Sequence, residues 1–180
     1  MSFPRRSLSA AFAIALAAGT VSVVTPTALA APDGSNVVIN EVYGGGGNSG
    51  SKYSHDFVEL YNPTDQDIDL TGWKLDQQSA KGNRGAQVSL KGTVPAGGFF
   101  LIQGQGTPDK GAGLPTPDQV AEFNFGAKSA IAVLTSPSGE VDRVGWGGAS
   151  KPEGTSAATT SNSESVQRAQ VGVDLSLIHI

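Results

Sequence analysis

The chain has 180 residues, no cysteine and a formal net charge of −4. Without cysteine there is neither a disulfide framework nor a thiolate metal site, so any fold must stand on packing alone. The acidic balance, with Lys and Arg scattered singly along the chain, argues against a surface that neutralises nucleic-acid phosphates.

Residues 1–30 read as a cleavable secretory signal. Arg5 and Arg6 give a positive start, an Ala-rich apolar stretch follows, and Ala28-Leu29-Ala30 supplies a small-x-small cleavage site. Pro4-Arg5-Arg6-Ser7-Leu8 also fits a twin-arginine signal in part. The apolar stretch is too weak for a stable membrane anchor, so no span is expected after cleavage. Setting Arg5 and Arg6 aside takes the net charge from −4 to −6.

Beyond the leader the pattern is of strands and turns. The β-branched run Asn36 to Tyr43 is the first predicted strand, and Asp56 to Asn62 the second. Between them lies "GGGGNSGSK", residues 44–52, which has the look of a phosphate cradle. A Walker-type loop needs Lys before Ser or Thr and a helix after it; here Ser51 precedes Lys52 and a strand follows. A dinucleotide fingerprint over Gly45, Gly47 and Gly50 fails for the same missing helix. The run is therefore read as a flexible connection between the first two strands.

Asn62-Pro63-Thr64-Asp65 is turn chemistry, with Pro fixing φ and Asn able to bond forward to backbone. Asp65, Asp67 and Asp69 alternate as in a calcium loop, but Leu70 and Asp76 stand where that loop wants Gly and Glu. The alternation is read as a solvated strand face entering from a turn. Further strands are predicted over 68–75, 86–90, 97–104, 120–125, 130–136 and 140–147, spaced as in an all-β sandwich or barrel. Ser136-Pro137-Ser138-Gly139 fits a hairpin. Residues 149–163 are small, polar and low in complexity, a long loop before a late strand over 164–168. No helical stripe and no internal repeat appear after the leader. The terminal "LSLIHI", residues 175–180, is abruptly apolar and reads like translated sequencing adapter, leaving a domain over residues 31–174.

The chain offers little for catalysis. With His179 in the terminal run, His55 is the single histidine available to a Ser/His/Asp arrangement, and no G-x-S-x-G elbow accompanies it. No carboxylate pair is distinguished as a glycosidase's. His55, Asp56, Glu59 and Glu41 can be imagined around a metal, but one imidazole makes zinc a poor fit, and a polar edge beside the glycine loop is the simpler reading. Trp73 and Trp146 suit either a sugar platform or the core of a sandwich. The apolar residues available to pack around them favour the core.

Taken in order, "VVINEVY", "DFVELYNPTDQDIDLTGWKL", "VPAGGFFLI", "AIAVLTSPSGEVDRVGW" and "ESVQR" resemble the lamin-tail domain over roughly residues 36–170. The I-N-E-V run followed by F-V-E-L-Y-N and D-L-x-G-W-x-L carries most of the specificity. The resemblance implies an immunoglobulin-like β-sandwich acting as a non-catalytic module, with a variable loop where the glycine run stands. It also implies a bacterial secreted setting in which such a domain precedes a catalytic one, notably a nuclease of the endonuclease/exonuclease/phosphatase type. Relatives of that kind continue past the "ESVQR" strand into an Asp/Asn-rich segment that this chain does not show. Glu41 and Glu59 match motif positions, and their expected role is a structural hydrogen bond between neighbouring strands. Gly72 is expected to let the chain pass close under Trp73.

The reading is of a secreted lamin-tail-like interaction module, the front of a longer protein. No catalytic, cofactor-binding or metal-ligating residue is assigned and no cofactor is expected. The partner is a protein, the cell envelope or a polymer, with no direct nucleic-acid binding. The alternatives are the N-terminal part of a secreted metal-dependent nuclease, and a carbohydrate- or envelope-binding module using Trp73 or Trp146.

Overall fold

A computed structural model describes residues 34–168. The expected leader over 1–30, the terminal run 175–180 and the outer limits of the 31–174 domain lie outside the described residues. The strands are β1 (Val38–Tyr43), β2 (His55–Tyr61), β3 (Ile68–Asp69), β4 (Lys74–Gln78), β5 (Arg84–Ser89), β6 (Thr93–Val94), β7 (Phe99–Gly106), β8 (Gln119–Val120), β9 (Ala130–Ser136), β10 (Gly139–Trp146) and β11 (Val166–Gln167). They form a five-stranded sheet ordered β11-β1-β2-β7-β8, a four-stranded sheet ordered β10-β9-β4-β5, and a small ribbon of β3 with β6. Every pairing within these sheets is antiparallel except β7 with β8.

Two sheets with one apolar face each must bury those faces against one another. Ile39, Val58, Leu60 and Ile102 from the larger sheet meet Leu75, Ala132, Leu134 and Val144 from the smaller in one core. A bulge at Asn40, between the Ile39–Leu60 and Glu41–Glu59 pairs, shifts the phase of β1. It keeps Ile39 and Val42 in the core and turns Glu41 and Tyr43 to the opposite face.

Trp146 is 1% exposed, packs its ring 5.5 Å from that of Phe125, and donates from Nε1 to the Gly126 and Ala127 carbonyls. Trp73 is also buried. Both are core residues, so the sugar-platform alternative fails at these positions for want of an exposed ring.

The turns follow their chemistry. Asn62 is fully buried; its Oδ1 accepts from Thr64 N at 3.0 Å while Nδ2 donates to the Gln66 and Val94 carbonyls. Ser136 and Gly139 close the β9–β10 hairpin around Pro137 and Ser138, as expected.

Some expectations need correction. The predicted strand over 68–75 is broken, because Asp69 Oδ1 accepts from Thr71 N and Oγ1 at 2.8 Å and starts a turn that ends with Trp73 N donating to Leu70 O. Gly72 serves that turn with φ of +83°, and a Cβ there would lie 3.1 Å from Pro137. Of the predicted strand over 120–125 only Val120 lies in β8, although Ala121 N and Phe123 O still bond to Gln103 and Gln105 of β7, while β6 has no signal beyond two residues between Gly92 and Pro95.

The outer face of the four-stranded sheet is covered by the chain itself. Ile131, Val133 and Ala149 form a second apolar cluster beneath the segment after β10, which Ser150 N fastens to the Ala80 carbonyl at 2.7 Å.

Candidate functional site

Titratable and glycine-rich residues singled out in the sequence fall into two separate places. At one end of the sandwich the glycine run joins β1 to β2 but is not the flexible connection expected. Gly44 and Gly45 are buried. A Cβ on Gly46 would collide with the backbone of His55 and Asp56, and one on Gly45 would lie 2.5 Å from Asn162 O. Glycine is required here because backbone runs against backbone. Asp56, 1% exposed, pins the loop: Oδ1 accepts from Gly46 N at 2.8 Å and Oδ2 from Phe125 N at 2.7 Å. Burial pushes its carboxyl up to about 7 against the pull of those two amides. The Tyr43 hydroxyl donates to Asn162 O and accepts from Lys52 N, tying the loop to residues 149–163. Bonds that sequence pattern could not supply, such as Ala157 N to Gly145 O, hold that low-complexity segment as well.

The other site is the outer face of the five-stranded sheet. Register places Glu41 opposite Glu59 and Glu59 opposite Leu101. On one side of this row lies the Tyr43, Tyr53 and Phe57 cluster, with ring centroids 5.5 to 5.8 Å apart. On the other lie Tyr61 and Phe99, 4.8 Å apart. A cleft of about 170 Å³ opens here, lined by Glu41, Tyr53, Phe57, Glu59, Leu101, Leu114 and Pro115.

Glu41 and Glu59 part company with their expected common role. Glu59 Oε1 does accept a structural hydrogen bond from Asn40 Nδ2 at 2.7 Å. Glu41 is 8% exposed, and its Oε1 has no hydrogen-bond partner among the described residues. Desolvation raises the Glu41 pKa, and repulsion from Glu59 adds to the rise. The Ser165 hydroxyl beside it and the more distant Lys52 charge pull the other way, with Ser165 short of full hydrogen-bond geometry. No sequence signal separates Glu41 from Glu59; the difference arises from the bulge and from what each strand neighbour offers.

The four residues imagined around a metal do not converge. Asp56 turns to Gly46 and Phe125, His55 Nδ1 is 2.8 Å from Ser54 Oγ, and the two glutamates lie on the outer face. Ser54 is buried and His55 half-buried. Asp65, Asp67 and Asp69 are exposed as expected, but Asp67 and Asp69 spend an oxygen each on turn amides. Among the described residues no group of three or more His, Cys, Asp or Glu is placed to hold a metal ion.

An all-β sandwich whose loops and seams are closed by buried Asn and Asp side chains defines an immunoglobulin-like module. The Lamin Tail Domain family profile matches residues 30–148, and the chain belongs to that family. No curated protein matches it. The matched stretch ends before β11, yet β11 pairs with β1 through Val42–Val166 and Glu41–Gln167, so the sandwich reaches beyond it.

Proposed function

We propose that this chain is a non-catalytic, extracellular interaction module that presents the outer face of its five-stranded sheet to a protein, envelope or polymer partner. One observation carries the reading. The large apolar side chains left exposed among the described residues, Phe99 at 53% and Val120 at 64%, sit in register on the same face as Glu41, whose Oε1 has no hydrogen-bond partner among those residues. Exposed apolar side chains and an unsatisfied polar atom on one sheet face are what an interaction surface leaves before its partner arrives.

The leader-like start supports export, and the family resemblance supports service as the front of a longer secreted protein, a metal-dependent nuclease among the possibilities. Reading the genomic DNA across the Asp174 codon to the stop tests that second statement. A downstream domain with a nuclease set of Asp, His, Glu and Asn would give the module an enzyme to serve; a stop shortly after the sandwich would leave it acting alone.

The docking reading is tested by fractionation. The full chain is expressed in an exporting host beside a Leu101→Asp variant, and each is partitioned between envelope and medium. Wild-type protein should remain with the envelope while the folded variant is released. Equal partition of the two would sink the proposal.

A further inference from the structure

Glu41 and Glu59 oppose each other directly across β1 and β2, and like charges so placed destabilise a sheet. Glu59 is compensated by Asn40, whereas among the described residues Glu41 keeps a buried Oε1 that the nearby Ser165 hydroxyl approaches short of hydrogen-bond geometry. Folds seldom leave such an atom unsatisfied unless something outside the chain satisfies it. The cleft that Glu41 lines is about 170 Å³, the scale of one long side chain and below the usual range for a whole small-molecule ligand.

Charge and wall chemistry narrow the occupant. Two carboxylates repel anions. A bare divalent cation needs more oxygen ligands than this cleft supplies, and its other walls are the rings of Tyr53 and Phe57 with Leu101, Leu114 and Pro115. A lysine ammonium is compact and strongly hydrated. Lys52 already places one 5.9 Å from the Tyr53 ring centroid, and its charge acts on Glu41 without a hydrogen bond to Oε1. A guanidinium is flat, weakly hydrated and rich in donors; it stacks on aromatic rings and can bridge two carboxylates.

From this geometry we infer that the cleft receives an arginine side chain from a partner polypeptide, its guanidinium donating to Glu41 and Glu59 and its faces lying against Tyr53 and Phe57. The inference rests on reading this face as a docking surface, and names the chemistry that docks.

The test is an amide-resolved NMR titration of the full chain with N-acetyl-arginine methylamide, with the lysine and norleucine counterparts run alongside. Expected are saturable shifts centred on Tyr53, Phe57, Glu59 and Leu114 for the arginine compound. The lysine compound should bind at least about tenfold more weakly, and norleucine should cause no saturable shift. Glu41→Gln preserves shape and should weaken arginine binding about tenfold or more; Glu59→Gln provides a second variant should the first not fold. Equal binding of norleucine would make the cleft merely apolar, and equal binding of lysine would remove the guanidinium. Either result overturns the inference, as do unchanged affinity in both variants or no saturable shift into the millimolar range. The two readings fail separately: arginine binding without envelope retention sinks the docking role, while retention without arginine binding sinks the side chain assigned here.

Discussion

Buried carboxylates occur both at the seams of this sandwich and on its open face, and the two places treat them differently. At the seams, Asp142 and Asp56 have both oxygens occupied. Asp142 accepts from Ile39 N at 2.6 Å, from Arg143 N at 2.8 Å and from Arg168 Nη2 at 2.9 Å. Asp56 accepts from Gly46 and Phe125. On the open face, Glu41 is nearly as deeply placed and has an oxygen left over. Seam carboxylates fasten segments together, so their donors come from the chain. The one on the face has the Ser165 hydroxyl nearby, short of full hydrogen-bond geometry. A buried acid is a structural clasp when its donors are counted in full, and a candidate for recognition when they are not.

Removing a donor at a seam should break that contrast with the largest effect. Arg168→Met leaves Asp142 buried and without its ion partner, which costs about 3–5 kcal/mol. Denaturant unfolding of the full chain reads it, and a loss under about 1 kcal/mol would show the clasp to be dispensable.

Titration sharpens the contrast next. Asp56 has its folded pKa raised from 3.8 to about 7, so within that window the folded state holds a proton the unfolded state has lost. Stability is therefore fullest at the acidic end and falls as pH rises through about 7, by at most about 1.4 kcal/mol per pH unit. The raised Glu41 pKa adds a contribution of the same sign. Asp56→Asn should flatten the slope measured by unfolding at a series of pH values; an unchanged slope would assign it elsewhere.

Gly46→Ala forces a methyl into the backbone of His55 and Asp56 at the loop that Asp56 pins, with an expected cost of about 1–3 kcal/mol. A thermal melt of the variant matching wild type would return the glycine run to a merely flexible connection.

The smallest effect, and of opposite sign, belongs to the face. Glu41→Gln removes a like-charge pair and should stabilise the fold by about 0.2–1 kcal/mol. A loss of more than about 1 kcal/mol in the same denaturant experiment would move Glu41 into the class of Asp142.

Strands with β-branched cores and turns with dedicated chemistry were readable without coordinates. Val38 to Tyr43, Ala130 to Ser136 and the Pro137-Ser138 hairpin follow from alternation and turn residues alone. Strands made by partners were not readable. Thr93–Val94 pairs because Ile68 and Asp69 lie alongside, and the late run pairs with β1 at Val166–Gln167, with Arg168 N adding a bond to the Asn40 carbonyl. The glycine run looked loose because sequence shows missing side chains, not the neighbouring backbone that fills their place. Glu41 and Glu59 carried the same letter in similar strand contexts, so nothing local distinguished the satisfied one.

By itself the sequence determined an all-β domain, the turns at Asn62–Asp65 and Ser136–Gly139 and the lamin-tail resemblance, and it favoured the core for both tryptophans, because short-range periodicity and turn stereochemistry are local properties. Tertiary structure alone decided which carboxylates are clasped and which is left open, and that the glycines are packed. Those outcomes depend on residues brought together from far along the chain, such as Asp142 with Ile39 and Gly45 with Asn162, and no local pattern encodes the donors that distance in sequence will supply.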